Sequence, residues 1–475
     1  MKKQLFILIL VCGVFTTQAQ EHGKDVGYKL PDMIEAALEH NKALKNQQLE
    51  LKRMGLTQKQ IYHTYIPTLE LGGRYAYSKG QLNIDTEPIP FTTPELTLPI
   101  QIPGMPPLTM PPMELAVPAI NQEVDYSGNL WMGGLTAKWT LFTGLKVPYL
   151  GKAVKHKMKA AEYLLEQSEA DLIEDVSAYF DRVALIMQAE RVLSESERRL
   201  DREAQVAQKA LSEGLITQHD YQKIEIARLD LSSRQIELRG KKQLLHLKLH
   251  QLTGLPLDSL ISLKVELSPL TGAVGSGSYL ERPEIKALDE AVLASEYKLK
   301  SESSGYLPKV QAFAAHQYAG FTNGELGPLA FNEMSAYPLN MVGVGFKWEL
   351  FDGLHTRHER KKAKISIQQT ENKRAEAAEM LMLNYNNALN NYQVATAQEV
   401  LRAKQQEVSR RSMDISYREY QNGLIKVSEF LEAQADYEKS VLDYYQTVYT
   451  QRQSAIQLLN ASGQLNLSTL RAMGK

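Results

Sequence analysis

The chain has 475 residues, and its 54 basic and 55 acidic side chains leave a formal net charge of −1. So even a balance gives no electrostatic footprint for nucleic acid, and the single cysteine, Cys12, excludes a disulfide framework and a cysteine-based zinc site. Length alone suggests about three domains.

The N-terminus reads as a secretory signal over residues 1–19. Lys2 and Lys3 precede an apolar run, Leu5 to Phe15, and then "TTQAQ", with small residues at Thr17 and Ala19 before a cut. The run is too short to span a bilayer as a helix. Cys12 lies inside it behind Val11, where a lipidation site wants a small residue. Removal of Lys2 and Lys3 takes the net charge from −1 to −3. No later stretch has 18 consecutive apolar residues, so no transmembrane helix is expected. An exported chain of this kind is a soluble protein or a β-barrel.

The remainder is an internal duplication. Trp139 opens "WTLFTGL" and Trp348 opens "WELFDGL", an offset of 209 residues. Gly214 in "EGLI" and Gly423 in "NGLI" keep that offset, as do Gly254 and Gly463 in "LTGL" and "ASGQL". Upstream, Pro67 and Pro308 align after a gap, so the first copy carries the longer insertion before its Trp. The first repeat is placed at 20–262 and the second at 263–475. Each reads helix, Pro, strand, loop, strand, long helix, Gly break, helix, Thr/Ser-Gly stop.

In chain order, a helix over Asp32 to Tyr65 is followed by a strand at about 68–80, in which Leu69, Leu71, Tyr75 and Tyr77 alternate with Glu70, Gly72, Arg74 and Ser78. Ten of the 19 prolines then fall between Pro88 and Pro118. They rule out helix and central strand, so 81–129 reads as a long extended surface loop. A second strand is expected at 130–142 and long helices at 150–212 and 217–252. The first of these helices would reach about 95 Å. The second carries a seven-residue apolar series, Ile224, Leu231, Leu238, Leu245 and Leu252. In the second repeat the helix over Pro283 to Tyr306 leads to strands at 309–321 and 340–351 and helices at 357–421 and 426–461. The strands have the length of tilted membrane strands, and Trp139 and Trp348 suit an interfacial aromatic girdle. A soluble β-sandwich edge would show the same alternation. Four strands cannot close in lipid, where no backbone group is left unpaired, and barrels begin at about eight strands, so a membrane reading requires copies to pool strands.

This layout resembles the TolC-type outer-membrane efflux protein family over nearly all of the mature chain. The resemblance rests on Ile66-Pro67 and Leu307-Pro308, the Leu-Phe-x-Gly strand exits at Leu141 to Gly144 and Leu350 to Gly353, the Gly-Leu turns, and the Thr/Ser-Gly helix stops. It implies a mainly α fold with membrane β-strands, in which a homotrimer forms a 12-stranded barrel continued by a periplasmic α-helical barrel. It also implies a passive exit duct in outer-membrane lipid, a periplasmic adaptor (membrane fusion) protein and an inner-membrane pump of RND or ABC type. The turns Gly214-Leu215 and Gly423-Leu424 map onto the adaptor-docking tips. Acidic residues six and nine positions after the second Gly form the family's constriction, and here these are Glu429 and Glu432. The chain departs from the pattern at Glu213 and Asn422, where Val is common, and at Ile425, where some members carry a basic brace.

From the residues alone, Glu429 and Glu432 share one helix face at i, i+3 and sit in the first turns of their helix, where negative charge suits the dipole. Capping explains Glu429 and, in the first copy, Thr217-x-x-Asp220, but Glu432 lies a turn too deep. An acidic pore ring would favour cations. His355, His358 and Glu359 form a weak metal pattern among basic neighbours, which reads better as a basic helix start. The sequence has no nucleophile elbow, phosphate loop or His-x-x-x-His pair, so neither catalysis nor a cofactor nor a metal is expected. The alternative function is a soluble periplasmic coiled-coil scaffold or adaptor.

Overall fold

Pro67 and Pro308 each end a helix and release the chain into a strand, because proline disfavours helix in the residue before it and removes a donor. The computed structural model describes residues 28–97, 109–119, 121–270, 277–323 and 337–473. The expected signal, 1–19, lies outside them. The elements are α1 (Leu30–His40), α2 (Lys42–Tyr62), β1 (Thr68–Asp85), β2 (Ile89–Thr92), β3 (Leu96–Thr97), β4 (Thr109–Met110), β5 (Glu114–Val117) and β6 (Asn121–Phe142), then α3 (Lys146–Ser212), α4 (Gln218–Thr253) and α5 (Leu257–Ile261). The second half comprises α6 (Pro283–Ser303), β7 (Lys309–Asn323), β8 (Tyr337–Lys347), α7 (His355–Gln421), α8 (Val427–Ala461) and α9 (Leu467–Met473). They fall into two units, one of Lys52–Met158 and Glu290–Glu371, the other of Met1–Leu51, Lys159–Asp289 and Asn372–Lys475.

The first unit holds a four-stranded antiparallel sheet in the order β1-β6-β7-β8. Its register puts Leu71 opposite Leu135, Trp139 opposite Ala312, and Ala312 opposite Val344, so one apolar face crosses all four strands. That face is bare, with Leu71 82% and Val342 88% exposed. Its polar pair is self-satisfied, His316 hydrogen-bonding Asn340 at 2.5 Å. The opposite face carries the Lys138–Glu70 ion pair at 2.8 Å.

Three expectations need correction. The Pro-rich segment 81–129 is not simply a loop. β1 runs on to Asp85, β6 starts at Asn121, and between them β2 pairs with β5 and β3 with β4. Among the described residues Pro88, Pro94, Pro111, Pro112 and Pro118 sit at the interruptions, and Pro90 lies in β2, which pairs on one side only. The strand expected at 340–351 ends at Lys347, so Trp348 lies beyond it. The single helix expected over Asp32 to Tyr65 breaks at Asn41, whose Oδ1 accepts from the backbone N–H groups of Ala43 and Leu44 at 2.8 and 3.1 Å and so caps α2.

α3 and α7 are matching helices of 67 residues each, and the second unit holds them from Lys159 and Asn372 onward. The seven-residue series of α4 turns inward. Ile224 and Leu231 are buried, Leu238, Leu245 and Leu252 are half-buried, and the series as a whole runs through three successive clusters. The main core joins Met33 and Ile34 of α1, Val176 and Val183 of α3, Leu249 of α4 and Ile456 of α8. Each such side chain stabilises the fold by about 1.5–3 kcal/mol. The stretch between the repeats is strapped to α8: Gln451 accepts from the N–H of Leu270 at 2.9 Å and donates to its carbonyl at 3.0 Å. Arg452 donates to the carbonyl of Ser268 at 3.0 Å and pairs with the buried Asp181 of α3 at 2.9 Å.

Candidate functional site

Two helix reversals carry the residues singled out in the sequence. α3 ends at Gly214, φ 74°, and α7 at Gly423, φ 73°. Both ends are Schellman caps. The N–H of Leu215 reaches the carbonyl of Ala210 at 2.8 Å and that of Gly214 the carbonyl of Leu211 at 3.0 Å. Leu424 to Glu419 and Gly423 to Tyr420 repeat the pattern at 2.8 and 2.9 Å. An L-residue pays for this left-handed backbone and glycine does not. The leucines that follow do not fold back on their helices: Leu215 and Leu424 are each 72% exposed. Each tight tip therefore presents one bare leucine.

Behind the tips a shared core holds the two helix pairs together. Ala204 and Ala207 of α3, Ile224 of α4 and Val427 of α8 form one cluster, flanked by Ile216, Tyr221 and Tyr420. Phe430, 1% exposed, stacks on Tyr420 with ring centroids 5.2 Å apart. Tyr417 of α7 donates to the buried carboxylate of Glu203 on α3 at 3.0 Å. Burial, then the Glu203 carboxylate, pushes the Tyr417 hydroxyl pKa up. Arg199 of α3 meets Met413 of α7 at 3.3 Å. These contacts join the two hairpins where Ile425 offers no basic brace.

Glu429 and Glu432 are both exposed on the first turns of α8. The N-cap of α8 is Lys426, which makes no side-chain cap bond. In α4, by contrast, Thr217 accepts from the N–H of Asp220 at 3.1 Å and donates to its carboxylate at 2.7 Å. That hydroxyl holds the Asp220 carboxyl below its usual range. The first-copy acid is therefore engaged as a cap, while the second-copy pair faces solvent. Asp436, also exposed, extends the stripe by one turn. It stands at i, i+7 from Glu429, a helical spacing that the sequence itself carries.

Trp139 and Trp348 have matching bonds. Trp139 Nε1 donates to the carbonyl of Tyr65 at 2.8 Å and Trp348 Nε1 to that of Tyr306 at 3.1 Å. Each indole pins the strand exit to the Tyr-x-Pro corner of its own repeat and leaves half its surface exposed. The His355 region forms no converging set. His358 bonds the carbonyl of Leu354 at 2.9 Å, and Glu359 pairs with Lys362 at 2.8 Å. Among the described residues there is no group of three or more His, Cys, Asp or Glu side chains placed to hold a metal ion.

A sheet with one bare apolar face and two open edges, in one chain with duplicated long helix pairs, defines the class as a membrane channel protein. The sequence model of the outer membrane efflux protein family matches residues 33–255 and 277–464, and the chain belongs to that family. Solved structures share the fold. The outer-membrane channel OprN is 15% identical at a TM-score of 0.70, with 92% of this chain and 90% of that one covered. CusC is 14% identical at 0.71, covering 92% of each. The Campylobacter jejuni outer-membrane channel CmeC is 15% identical at 0.68, covering 94% and 89%. Comparison with curated protein sequences finds no match. By family the chain is thus an outer membrane efflux protein, and its fold is that of solved outer-membrane channels.

Proposed function

We propose that three copies of the chain form a passive exit duct for efflux or secretion, driven by a partner pump. The observation that carries this is the four-stranded sheet whose apolar face is bare and whose edge strands, β1 and β8, are open. In lipid every unpaired backbone group costs several kcal/mol, so the edges must be closed by other copies. Three sets of four strands give the 12-stranded barrel of the family reading, with outer-membrane lipids on the bare face and Trp139 and Trp348 at its interface. The helical unit supports association through two different faces. On α4, Ile226, Leu229, Ile236 and Leu244 are exposed beside the inward series. On α7, Val394, Leu401, Val408 and Ile415 are exposed at seven-residue spacing. Unlike seams that meet head to tail close a ring.

In this reading Gly214-Leu215 and Gly423-Leu424 dock a periplasmic adaptor, which links the duct to an inner-membrane pump of RND or ABC type. Glu429 and Glu432, with Asp436, ring the closed end as a cation-favouring gate. The test is ion selectivity in planar bilayers. Glu429→Gln with Glu432→Gln should lower the cation-to-anion permeability ratio several-fold and weaken divalent block. A variant with wild-type selectivity and block removes both residues from the gate.

A further inference from the structure

The hairpin between β1 and β6 continues far past the membrane-spanning part of the sheet. A tilted strand needs about 9–11 residues to cross, whereas β1 has 18 and β6 has 22. Beyond them the pairing keeps one register. Asp85 lies opposite Asn121, Ile89 opposite Val117, Thr92 opposite Glu114, and Thr97 opposite Thr109, with no residue gained or lost on either leg. The result is one two-stranded ribbon, on the side of the sheet away from the helix junctions and so outside the cell.

Three features of the ribbon's outer part point to a partner. First, Ile89, Phe91, Leu115 and Val117 occupy two rungs of β2–β5 with matching parity, so they share one face, and all four are exposed. An isolated two-stranded hairpin is marginal in water, and contiguous bare apolar faces mark contact sites. Second, the edges are ill suited to strand addition. Pro90 lies within β2, and Pro88, Pro94, Pro111, Pro112 and Pro118 flank the short strands, removing the donors an added strand would need. Recognition is therefore through the face. Third, between Lys79 and Lys138 the sequence has no Lys, Arg or His, against six acids: Asp85, Glu87, Glu95, Glu114, Glu123 and Asp125. Ribbons of like charge repel one another, and an anionic lipid surface repels them as well. The complementary surface is cationic.

We propose that the Ile89–Thr92/Glu114–Val117 ribbon is an external docking surface for a basic polypeptide partner that seats apolar side chains on Phe91 and Leu115. Glu87 lies two residues before Ile89, and Glu114, opposite Thr92, lies on the other face of the same narrow ribbon; together they supply charge complementarity. This rests on the outer-membrane duct reading, which sets the ribbon outside the cell.

The test uses the full chain in nanodiscs of uncharged lipid and two labelled peptides, one alternating lysine with leucine and one alternating glutamate with leucine. Fluorescence anisotropy should show the lysine peptide binding and the glutamate peptide not. Asp85→Asn with Glu87→Gln and Glu114→Gln should weaken binding about tenfold, as should Phe91→Ser with Leu115→Ser. Equal binding of both peptides, or equal affinity in the variants, would overturn the proposal. Ready cross-linking of Val117→Cys between copies in intact cells would overturn it in favour of a second copy. A wild-type chain absent from the outer membrane would overturn the duct reading, and this one with it. Loss of peptide selectivity with the chain correctly located would overturn this one alone.

Discussion

At the scale of single residues, matched positions in the two repeats have different surroundings, and stability should reveal it. The strand exits place Gly144-Leu145 and Gly353-Leu354 at φ between 65° and 68°. Leu145 and Leu354 are the positive-φ non-glycine residues among those described, and the tryptophan-to-carbonyl bonds hold the same corners. A Cβ on Gly144 would meet Leu307 Cβ and the Ser304 carbonyl at 2.9 Å, whereas one on Gly353 meets nothing within 4 Å. Gly353→Ala should cost only the left-handed backbone penalty, about 1–2 kcal/mol. Gly144→Ala should cost clearly more, read as a larger fall in melting temperature in detergent; equal shifts would contradict the packing. The sequence identified the glycines at the turns because only glycine adopts such a backbone freely. It did not show the indole bonds, since an N–H reaching a carbonyl more than forty residues away depends on how the corner folds.

At the scale of elements, periodicity was legible where one period governs a face and not where two compete. The series Ile224 to Leu252 marked the inward seam of α4. Ile226, Leu229 and Ile236 belong to a second seam, which stays unassigned until the first is seen to be filled. Proline density between Pro88 and Pro118 argued against a helix or a central strand across 81–129, but a ribbon with two open edges tolerates proline and the end of the segment, from Asn121, is the central strand β6, so composition hid the ladder. Nor was the strap on α8 visible, because Gln451 and Arg452 read as ordinary surface polar residues. Asp181 allows a test there. Asp181→Ala leaves the Arg452 guanidinium, largely buried, without its carboxylate and should cost about 3 kcal/mol. Burial pushes the Asp181 carboxyl above its ordinary 3.8, against the pull of Arg452 and Gln453. The folded chain therefore holds that proton more tightly than the unfolded one. Its contribution is fully present below 3.8 and is lost as pH rises through the raised folded-state pKa. Asp181→Asn should flatten that part of the stability–pH curve in thermal melts; an unchanged slope would remove Asp181 as its source.

For the whole molecule, the duplication and the order of its motifs made the family legible from sequence, because 209-residue spacing between matched landmarks survives where single motifs are weak. Function at the tips is less directly written. Leu215 and Leu424 fit docking and Glu429 and Glu432 fit a gate, yet each also has an ordinary role in ending or starting a helix. Gly423→Pro separates the two for docking: it should abolish export while the channel still assembles, and loss of assembly would make the turn a folding element. The central claim is that copies close one barrel through β1 and β8. It is tested most directly by disulfide mapping, for which the chain is suited because Cys12, its only cysteine, lies in the expected signal. Leu71→Cys combined in turn with Val342→Cys and Val344→Cys is oxidised in outer membranes and run on non-reducing gels. The account predicts that at least one pair yields covalent dimers and trimers and nothing larger. Only monomers in both pairings, or an open ladder beyond three, would contradict it.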